Sequence, residues 1–174
     1  MLDSMIKVAV KKLSDIAWLP RKAYPSDAAF DLNSNEVGII PAGGTQTFGT
    51  GIALSMPDNM CSFVLSRSGL AANNSVFVLN SPGLIDPGYR GELKVILYNA
   101  GSQPFSVNLH DRIAQLMFNT LLPISFGLVV DLSESNRGDG GLGSTGFCAH
   151  ENTVQDENGQ WVCMQCDGRI AWTI

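Results

Sequence analysis

An aspartate in a segment rich in glycine and proline is the first candidate for catalysis. Asp86 lies between Ile85 and Pro87, in a stretch (residues 80–92) that also holds Tyr89. A carboxylate held in a tight loop beside apolar neighbours is suited to act as a general base. The alternative is an Asx-turn, in which the carboxylate caps its own loop. The residues of this segment, taken alone, leave both interpretations open.

Two further segments carry groups that bind phosphate. Arg67 and Ser68 precede Gly69 after an apolar run, although a solvated strand end has the same composition. The second segment, residues 137–146, combines Arg137 with several glycines and two hydroxyls. A guanidinium, backbone N–H groups and hydroxyls together suit a polyphosphate. A plain flexible linker is the alternative for this segment.

The glycine-rich segment also has the spacing of a dinucleotide-binding loop, at Gly138, Gly140 and Gly143. Such a loop needs a strand before it and a helix after it, inside a βαβ unit. The polar residues on either side predict neither element. The chain also has no Gly-Lys-Ser/Thr sequence, so a P-loop is excluded.

Short β-strands are the elements that must position these groups. Apolar runs alternate with turns containing Gly, Pro and Asn, at residues 37–40, 51–54, 62–65, 76–79, 93–98, 105–109, 113–118 and 128–130. This spacing predicts an all-β sandwich or barrel. No window keeps a helical period over three turns, so any helix is expected to be short.

Composition limits the class of protein. The chain has 174 residues, 45% of them hydrophobic and 16% charged, which predicts a folded core and excludes disorder. No apolar run approaches the roughly 18 residues that span a membrane, and the first residues do not resemble a signal peptide. We therefore expect a cytoplasmic protein without membrane association. The net charge of −5 argues against a general nucleic-acid partner.

Five segments, taken in order, resemble the five motifs of trimeric dUTPases. They are residues 28–32 (Ala-Ala-Phe-Asp-Leu), 67–71 (Arg-Ser-Gly-Leu-Ala), 83–92, 111–116 (Asp-Arg-Ile-Ala-Gln-Leu) and 137–146. The resemblance covers residues 6–147. It implies a jelly-roll-like distorted β-barrel, a homotrimer with active sites between subunits, and Mg²⁺-dependent hydrolysis of dUTP to dUMP and pyrophosphate. The glycine-rich motif would close over a neighbouring subunit's site as a lid.

The resemblance also assigns roles to residues. Asp86 would activate the attacking water, Tyr89 would lie under the deoxyribose and exclude a ribose 2′-OH, and Asn80 would read the uracil edge. Asp31 falls near the Mg²⁺ and its water network, without binding the metal directly. The other implied substrate contacts are Arg67, Ser68, Gly69, Gly83, Ile85, Lys94, Gln115, Arg137, Leu142, Gly143, Ser144 and Thr145. Among them Arg67, Ser68 and Gln115 would hold phosphates, and Arg137, Ser144 and Thr145 the terminal phosphate.

The chain departs from the family pattern at three places. Ala29-Phe30 replaces the usual Gly-Tyr, and His110 replaces a glycine, where we expect a surface turn residue. Leu142 replaces the aromatic residue that commonly stacks on uracil. An aliphatic side chain covers a base without π-stacking, so we expect weaker binding or lid closure.

The last 27 residues differ in kind from the rest. Cys148, His150, Cys163 and Cys166 form two pairs of soft ligands, and Asn158-Gly159 between them predicts a hairpin with a type I′ turn. This arrangement predicts a small zinc ribbon with a closed, structural Zn²⁺ site. A disordered tail with spare thiols is the alternative. The fourth cysteine, Cys61, is expected to be a buried core thiol.

The sequence therefore predicts a β-barrel over residues 1–132, a lid over 133–147 and a zinc-binding tail over 148–174. The tail is acidic, so we expect a protein partner for it rather than nucleic acid. A dUTP-responsive regulatory module that uses this tail is one alternative to the enzyme. The related dCTP deaminase is a second, but its catalytic glutamate is replaced here by Ile96.

Overall fold

The computed structural model describes residues 6–140 and 152–164. The chain divides into two compact units, residues 1–124 and 125–174. In the described ranges the elements are β1 Ala9–Lys12, β2 Phe30–Asn33, β3 Gly38–Ile40, β4 Thr45–Ser55, β5 Met60–Leu65, α1 Ser68–Asn74, β6 Val76–Val78, β7 Gly83–Ile85, β8 Glu92–Asn99, β9 Phe105–Val107, β10 Arg112–Thr120, β11 Thr153–Gln155 and β12 Trp161–Cys163. The all-β prediction is confirmed, and no helix among these residues is long or apolar enough to cross a membrane.

The strands of the first unit form antiparallel sheets. One sheet has the order β1-β4-β8-β6, a second has the order β2-β10-β5-β7, and β3 pairs with β9. Inward-facing residues of both four-stranded sheets form one apolar core, which includes Leu32, Phe48, Val95, Leu97 and Leu116. Alternate side chains along a strand point to opposite faces, which leaves the other face of each sheet for polar groups.

Strand β4 contains a bulge. Its pairing with β8 shifts register between Gly49 and Ala53, and Gly51 within the bulge has φ +69°. A Cβ added at Gly51 would lie 2.7 Å from the Cβ of Ala17 and 2.7 Å from Cγ of Asn35. Both the left-handed backbone and the lack of space therefore require glycine at this position.

The tail hairpin forms where the sequence predicts it, but its turn is of another type. Strands β11 and β12 pair from Thr153–Cys163 to Gln155–Trp161. The Gly159 N–H donates to Asp156 O at 2.9 Å, and the Asp156 N–H donates to Gln160 O at 2.8 Å. Gly159 has φ +77°, whereas no positive φ is found at Asn158. The type I′ prediction is wrong: this is the longer loop, in which glycine alone takes the left-handed conformation.

Residues 121–132 contain no strand or helix and carry large apolar side chains in solvent. Phe126, Leu128 and Val130 are 98–103% exposed, and the other exposed apolar side chains are Leu121, Leu122, Ile124, Val129 and Leu132. We call this segment the apolar arm. The strand predicted at residues 128–130 is not formed, and no strand among residues 6–140 and 152–164 pairs with the arm to satisfy its backbone groups.

Candidate active site

Two arginines share one carboxylate at the edge of the β2-β10-β5-β7 sheet. The Arg67 Nε lies 3.1 Å from Asp31 Oδ1, and the Arg112 Nη1 lies 3.3 Å from Asp31 Oδ2. Arg67 also donates from Nη1 to the backbone oxygen of Arg112 at 3.0 Å. The Asp31 side chain is 13% exposed and that of Arg112 is 54% exposed. We call these three residues the arginine cluster.

The register of β10 brings another predicted residue, Gln115, to this cluster. Gln115 stands opposite Asp31 on β2 and opposite Leu65 on β5. Residues directly opposite in antiparallel strands share one face of the sheet, about 5 Å apart at Cβ. Beyond the end of β5, Ser68 and Gly69 form the first turn of α1, whose backbone N–H groups have no partner within the helix. The cluster, Gln115 and this turn thus lie near one another.

The arginine cluster carries a net positive charge and retains unused donors. Each guanidinium has five N–H donors, and the contacts with Asp31 and the backbone use only some of them. Free guanidinium donors form strong, charge-assisted bonds with phosphate oxygens. Both Asp31 oxygens accept from arginines, so in this geometry Asp31 orients Arg67 and Arg112. These unused donors suit the binding of phosphate oxygens.

The second part of the site is the loop between β7 and β8. Its tight turn is closed by the Tyr89 N–H, which donates to the backbone oxygen of Asp86 at 3.1 Å. Within the described part of the chain the Asp86 carboxylate accepts no hydrogen bond, and the residue is exposed. The Asx-turn alternative is therefore not what the loop adopts. The carboxylate remains available to hold a water molecule.

Tyr89 and Asn80 flank this loop. The Tyr89 hydroxyl donates to the backbone oxygen of Glu92 at 3.0 Å, and its side chain is 45% exposed. Asn80 precedes a cis Ser81–Pro82 bond, and its amide nitrogen lies 3.1 Å from the place a Cβ of Gly83 would take. Ile85 is half-buried and packs against the core. The β7–β8 loop and the residues beside it thus present polar groups next to the packed Ile85 side chain.

One chain does not bring the two parts of the site together. Ile85 pairs with Ser62 near the start of β5, so Asp86 lies at that end, whereas Arg67 follows the other end of the strand. Arg67 lies five positions after Ser62, a span of roughly 17 Å at 3.3 Å per strand residue. The carboxylate and the arginine cluster therefore occupy opposite ends of β5.

The remaining predicted site residues fall into three groups. Lys94 lines a different polar cleft, with Asn35, Glu36, Thr47, Gly49 and Glu92. Arg137 donates from Nε to Gly140 O at 2.8 Å, within the second unit. Leu142, Gly143, Ser144 and Thr145 fall outside the described residues.

Three residues that contribute to the site have no role predicted from the sequence. Arg112 lies in a segment singled out as a motif, but its contact with Asp31 joins residues 81 positions apart. Ser66 and Ser81 link the end of β5 to the segment between β6 and β7: the Ser66 N–H donates to Ser81 Oγ at 3.3 Å, and the Val78 N–H donates to Ser66 Oγ at 3.0 Å. The sequence signals that could have revealed these roles were an arginine at the start of a strand and serines beside the loops.

His110 lies in a turn, as predicted, with φ +68°. Its ring stacks on Trp18 with centroids 4.3 Å apart, and its Nε2 lies 2.8 Å from the backbone oxygen of Ile16. The residue thus ties the loop before β10 to the loop after β1.

The predicted zinc site falls largely on undescribed residues. Cys148, His150 and Cys166 lie outside the described ranges, and Cys163 is buried at the end of β12. Among the described residues, no three His, Cys, Asp or Glu side chains are grouped to hold a metal. Cys61 is buried on β5, as expected.

The antiparallel β fold that carries this arginine cluster and exposed carboxylate is the fold of solved dUTPases. The fold is similar to that of Staphylococcus bacteriophage 80alpha dUTPase with dUPNHPP, with a TM-score of 0.73, 26% identity and coverage of 81% of this chain and 99% of that chain. The dUTPase of phage phi11 of S. aureus has the same fold, with a TM-score of 0.69, 21% identity and coverage of 74% and 99%.

Sequence comparison narrows the class to one family. The dUTPase family model matches residues 16–146. The deoxyuridine 5′-triphosphate nucleotidohydrolase of Clostridioides difficile is 48% identical over 82% of this chain and 100% of its own length. That of Clostridium acetobutylicum is 46% identical over 82% and 99%. The chain belongs to the dUTPase family, and residues 147–174 lie beyond the family model.

Proposed function

We propose that this protein is a dUTP diphosphatase, which hydrolyses dUTP to dUMP and pyrophosphate. Relatives named deoxyuridine 5′-triphosphate nucleotidohydrolase match it along nearly their whole length. The observation that carries the mechanism is the contrast between two aspartates. Asp31 is held by two arginines, whereas the Asp86 carboxylate accepts no hydrogen bond among the described residues. The first orients phosphate-binding groups, and the second is available for water.

In the proposed reaction Asp86 accepts a proton from a water molecule that it orients. The water oxygen forms a bond to the α-phosphorus as the bond from that phosphorus to the bridging oxygen of the β-phosphate breaks. Pyrophosphate leaves, and dUMP remains bound at the β7–β8 loop. Arg67, Gln115 and the first turn of α1 hold the phosphates and stabilise the charge that develops on them. Arg137 and the undescribed Ser144 and Thr145 are proposed for the terminal phosphate.

The donor set fits a magnesium ion that is held mainly by the substrate. Mg²⁺ is commonly bound by phosphate oxygens, water and one or two carboxylates rather than by a protein cage. The engaged Asp31 carboxylate and the free Asp86 carboxylate agree with that pattern, so Asp31 stays near the metal without a direct bond in this proposal. When bound, the ion neutralises charge on the triphosphate.

We assign the selectivity for deoxyuridine to the β7–β8 loop and the residues beside it. Asn80, Gly83 and Ile85 present polar and backbone groups to the uracil edge, and Tyr89 covers the sugar. A rigid site that pairs its polar groups with one base rejects analogues that leave those groups unpaired. Lys94 and Leu142 remain proposed substrate contacts. The deaminase alternative gains no support, since Ile96 on β8 offers no carboxylate.

We also propose a homotrimer with shared sites. Two features of the structure support it: Asp86 and the arginine cluster lie at opposite ends of β5, and the apolar arm exposes several large side chains. A second copy would bring the β7–β8 loop of one chain, with Asp86, to the arginine cluster of another chain. Burial of the arm against a neighbour would remove its apolar surface from water.

The direct test is turnover of purified protein with Mg²⁺ and each of dUTP, dCTP, dTTP and UTP, with nucleotide products and pyrophosphate followed separately. Formation of dUMP and pyrophosphate from dUTP alone is expected. Binding of dUTP without turnover would overturn the proposal and favour a regulatory module instead. Release of ammonia from dCTP would favour the deaminase.

For the tail we propose a structural zinc ion bound by Cys148, His150, Cys163 and Cys166. The hairpin places Cys163 at the end of β12 and in a buried position, which agrees with a ligand pair folded back on another. Elemental analysis of the purified protein should find one zinc per chain. The Cys163→Ser and Cys166→Ser variants should lose it, while Cys61→Ser should retain it. Equal metal content in all three would contradict the site. A protein partner is proposed for this tail.

A further inference from the structure

The ring of Tyr89 lies directly on the backbone of Gly91. A Cβ added at Gly91 would lie 2.6 Å from Cζ and 3.0 Å from Cε2 of Tyr89, and closer still to its hydroxyl oxygen. Real Cβ atoms do not approach other atoms below 3.0 Å, so any side chain at this position displaces the ring. Gly91 has no positive φ, so the backbone itself would accept another residue. The need for glycine here comes from the tyrosine.

Glu92 holds the same ring from the other side of the loop. Its backbone oxygen accepts the Tyr89 hydroxyl at 3.0 Å. Its carboxylate Oε1 accepts the Gly51 N–H at 2.8 Å, inside the bulge of β4. A Cβ at Gly49 would lie 2.5 Å from that same oxygen, so the carboxylate fills the space beside the bulge. The residue that receives the tyrosine hydroxyl is thus itself fixed to a central strand.

We infer that Gly91 and Glu92 are positioning residues that set the Tyr89 ring and thereby the discrimination between deoxyribose and ribose triphosphates. The inference rests on the role of Tyr89 in the proposed function. Exclusion of a 2′-OH by crowding depends on where the ring lies to within a fraction of an ångström. Gly91 leaves room for the ring, and Glu92 anchors its hydroxyl to β4. Neither residue needs to touch the substrate.

The test compares Gly91→Ala with Gly88→Ala. Both glycines lie in the same loop without positive φ, but a Cβ at Gly88 would meet nothing within 4 Å. The kcat/KM values for dUTP and for UTP are measured for each variant. Gly91→Ala should lower the ratio of dUTP to UTP by about tenfold or more, the usual effect of one misplaced group in a discriminating pocket. Gly88→Ala should leave that ratio near the wild-type value.

A double-mutant cycle separates this effect from general damage to the loop. In a Tyr89→Ala background no ring remains to be displaced, so Gly91→Ala should change the selectivity ratio no further. Additive effects of the two changes would overturn the inference. Glu92→Ala should also reduce selectivity, and Glu92→Gln should restore much of it, because its amide oxygen still accepts the Gly51 N–H.

The outcomes distinguish this inference from the proposed function. A wild-type protein that does not hydrolyse dUTP removes the proposed function. An active, selective wild type with equal ratios in Gly91→Ala and Gly88→Ala removes only the inference. Should Gly91→Ala fail to fold in a thermal melt, Tyr89→Phe serves instead, because it breaks the bond to Glu92 without changing the backbone. A Tyr89→Phe ratio equal to that of wild type would then overturn the role of Glu92 as the anchor.

Discussion

At the scale of single residues, the two aspartates of the family motifs differ in their charged neighbours. Asp31 accepts from Arg67 and Arg112, while the Asp86 carboxylate, in the β7–β8 loop, accepts no hydrogen bond from the residues that the structure describes. The sequence shows both as aspartates flanked by apolar residues and does not distinguish them. Their environments differ because Asp31 meets arginines 36 and 81 positions away. Contacts of that range depend on the sheet register, which local residue patterns do not specify.

Replacement of Asp86 by asparagine should abolish most of the activity while leaving the fold intact. The amide cannot accept the proton of the attacking water, so kcat for dUTP should fall by about 100-fold or more. Thermal unfolding should not change, because the carboxylate makes no hydrogen bond within the described residues. Pyrophosphate release measures the first effect and a melting curve the second. A kcat close to wild type would remove Asp86 from the mechanism.

Replacement of Asp31 by asparagine should weaken substrate binding more than it slows turnover. The neutral amide no longer holds the two guanidiniums, so we expect KM for dUTP to rise about tenfold, a cost of about 1.4 kcal/mol, with a smaller change in kcat. Initial-rate kinetics over a range of dUTP concentrations measures both. Asp58→Asn, in an exposed turn, is the matched control. A larger effect on kcat than on KM would place Asp31 in the chemical step.

Among the elements, strands framed by glycine and proline were predictable, and local geometry was not. The apolar runs at residues 62–65, 76–79 and 93–98 all lie on or overlap strands. The tail turn shows the limit. A left-handed glycine after asparagine suits both a type I′ turn and the longer bulged loop. The pairing of Thr153 with Cys163, which sets the loop length, decides between them.

Within β4, substitution should destabilise the fold most at Gly51, in the bulge. Gly51→Ala combines a left-handed backbone with close contacts to Ala17 and Asn35, so it should lower the free energy of unfolding by about 3 kcal/mol or more. Gly43 has φ +67° but nothing within 4 Å of an added Cβ. Gly43→Ala should therefore cost only about 1 kcal/mol. Urea titrations compare them, and equal losses would mean that space at Gly51 does not matter.

At the scale of the whole molecule, the proposed trimer accounts for one predicted strand that does not form. Residues 128–130 have a strand-like composition, yet no strand in the described part of the chain pairs with the apolar arm. A single sequence does not tell whether an apolar run pairs within one chain or with another. In the proposed trimer a second copy would supply that partner.

Substitution of arm residues should therefore change the assembly rather than the fold of the barrel. Phe126→Ser together with Leu128→Ser removes two fully exposed apolar side chains and should convert trimers to monomers at micromolar concentration. Sedimentation velocity measures the mass, and circular dichroism should show an unchanged sheet content. Asp131→Ser, in the same segment, should remain trimeric. Trimers in the double variant would show that the arm does not hold the subunits together.

The position of Asp86 and Arg67 at opposite ends of β5 has a consequence for mixed populations of subunits. A chain with Asp86→Asn and a chain with Arg67→Ala would each be inactive alone, yet each retains the half-site that the other has lost. If every site joins halves from two chains, random reassembly of equal amounts would regenerate about one quarter of the intact sites. Recovery of activity on mixing would be intermolecular complementation between two dead enzymes, and a cell carrying both defective alleles would still clear its dUTP.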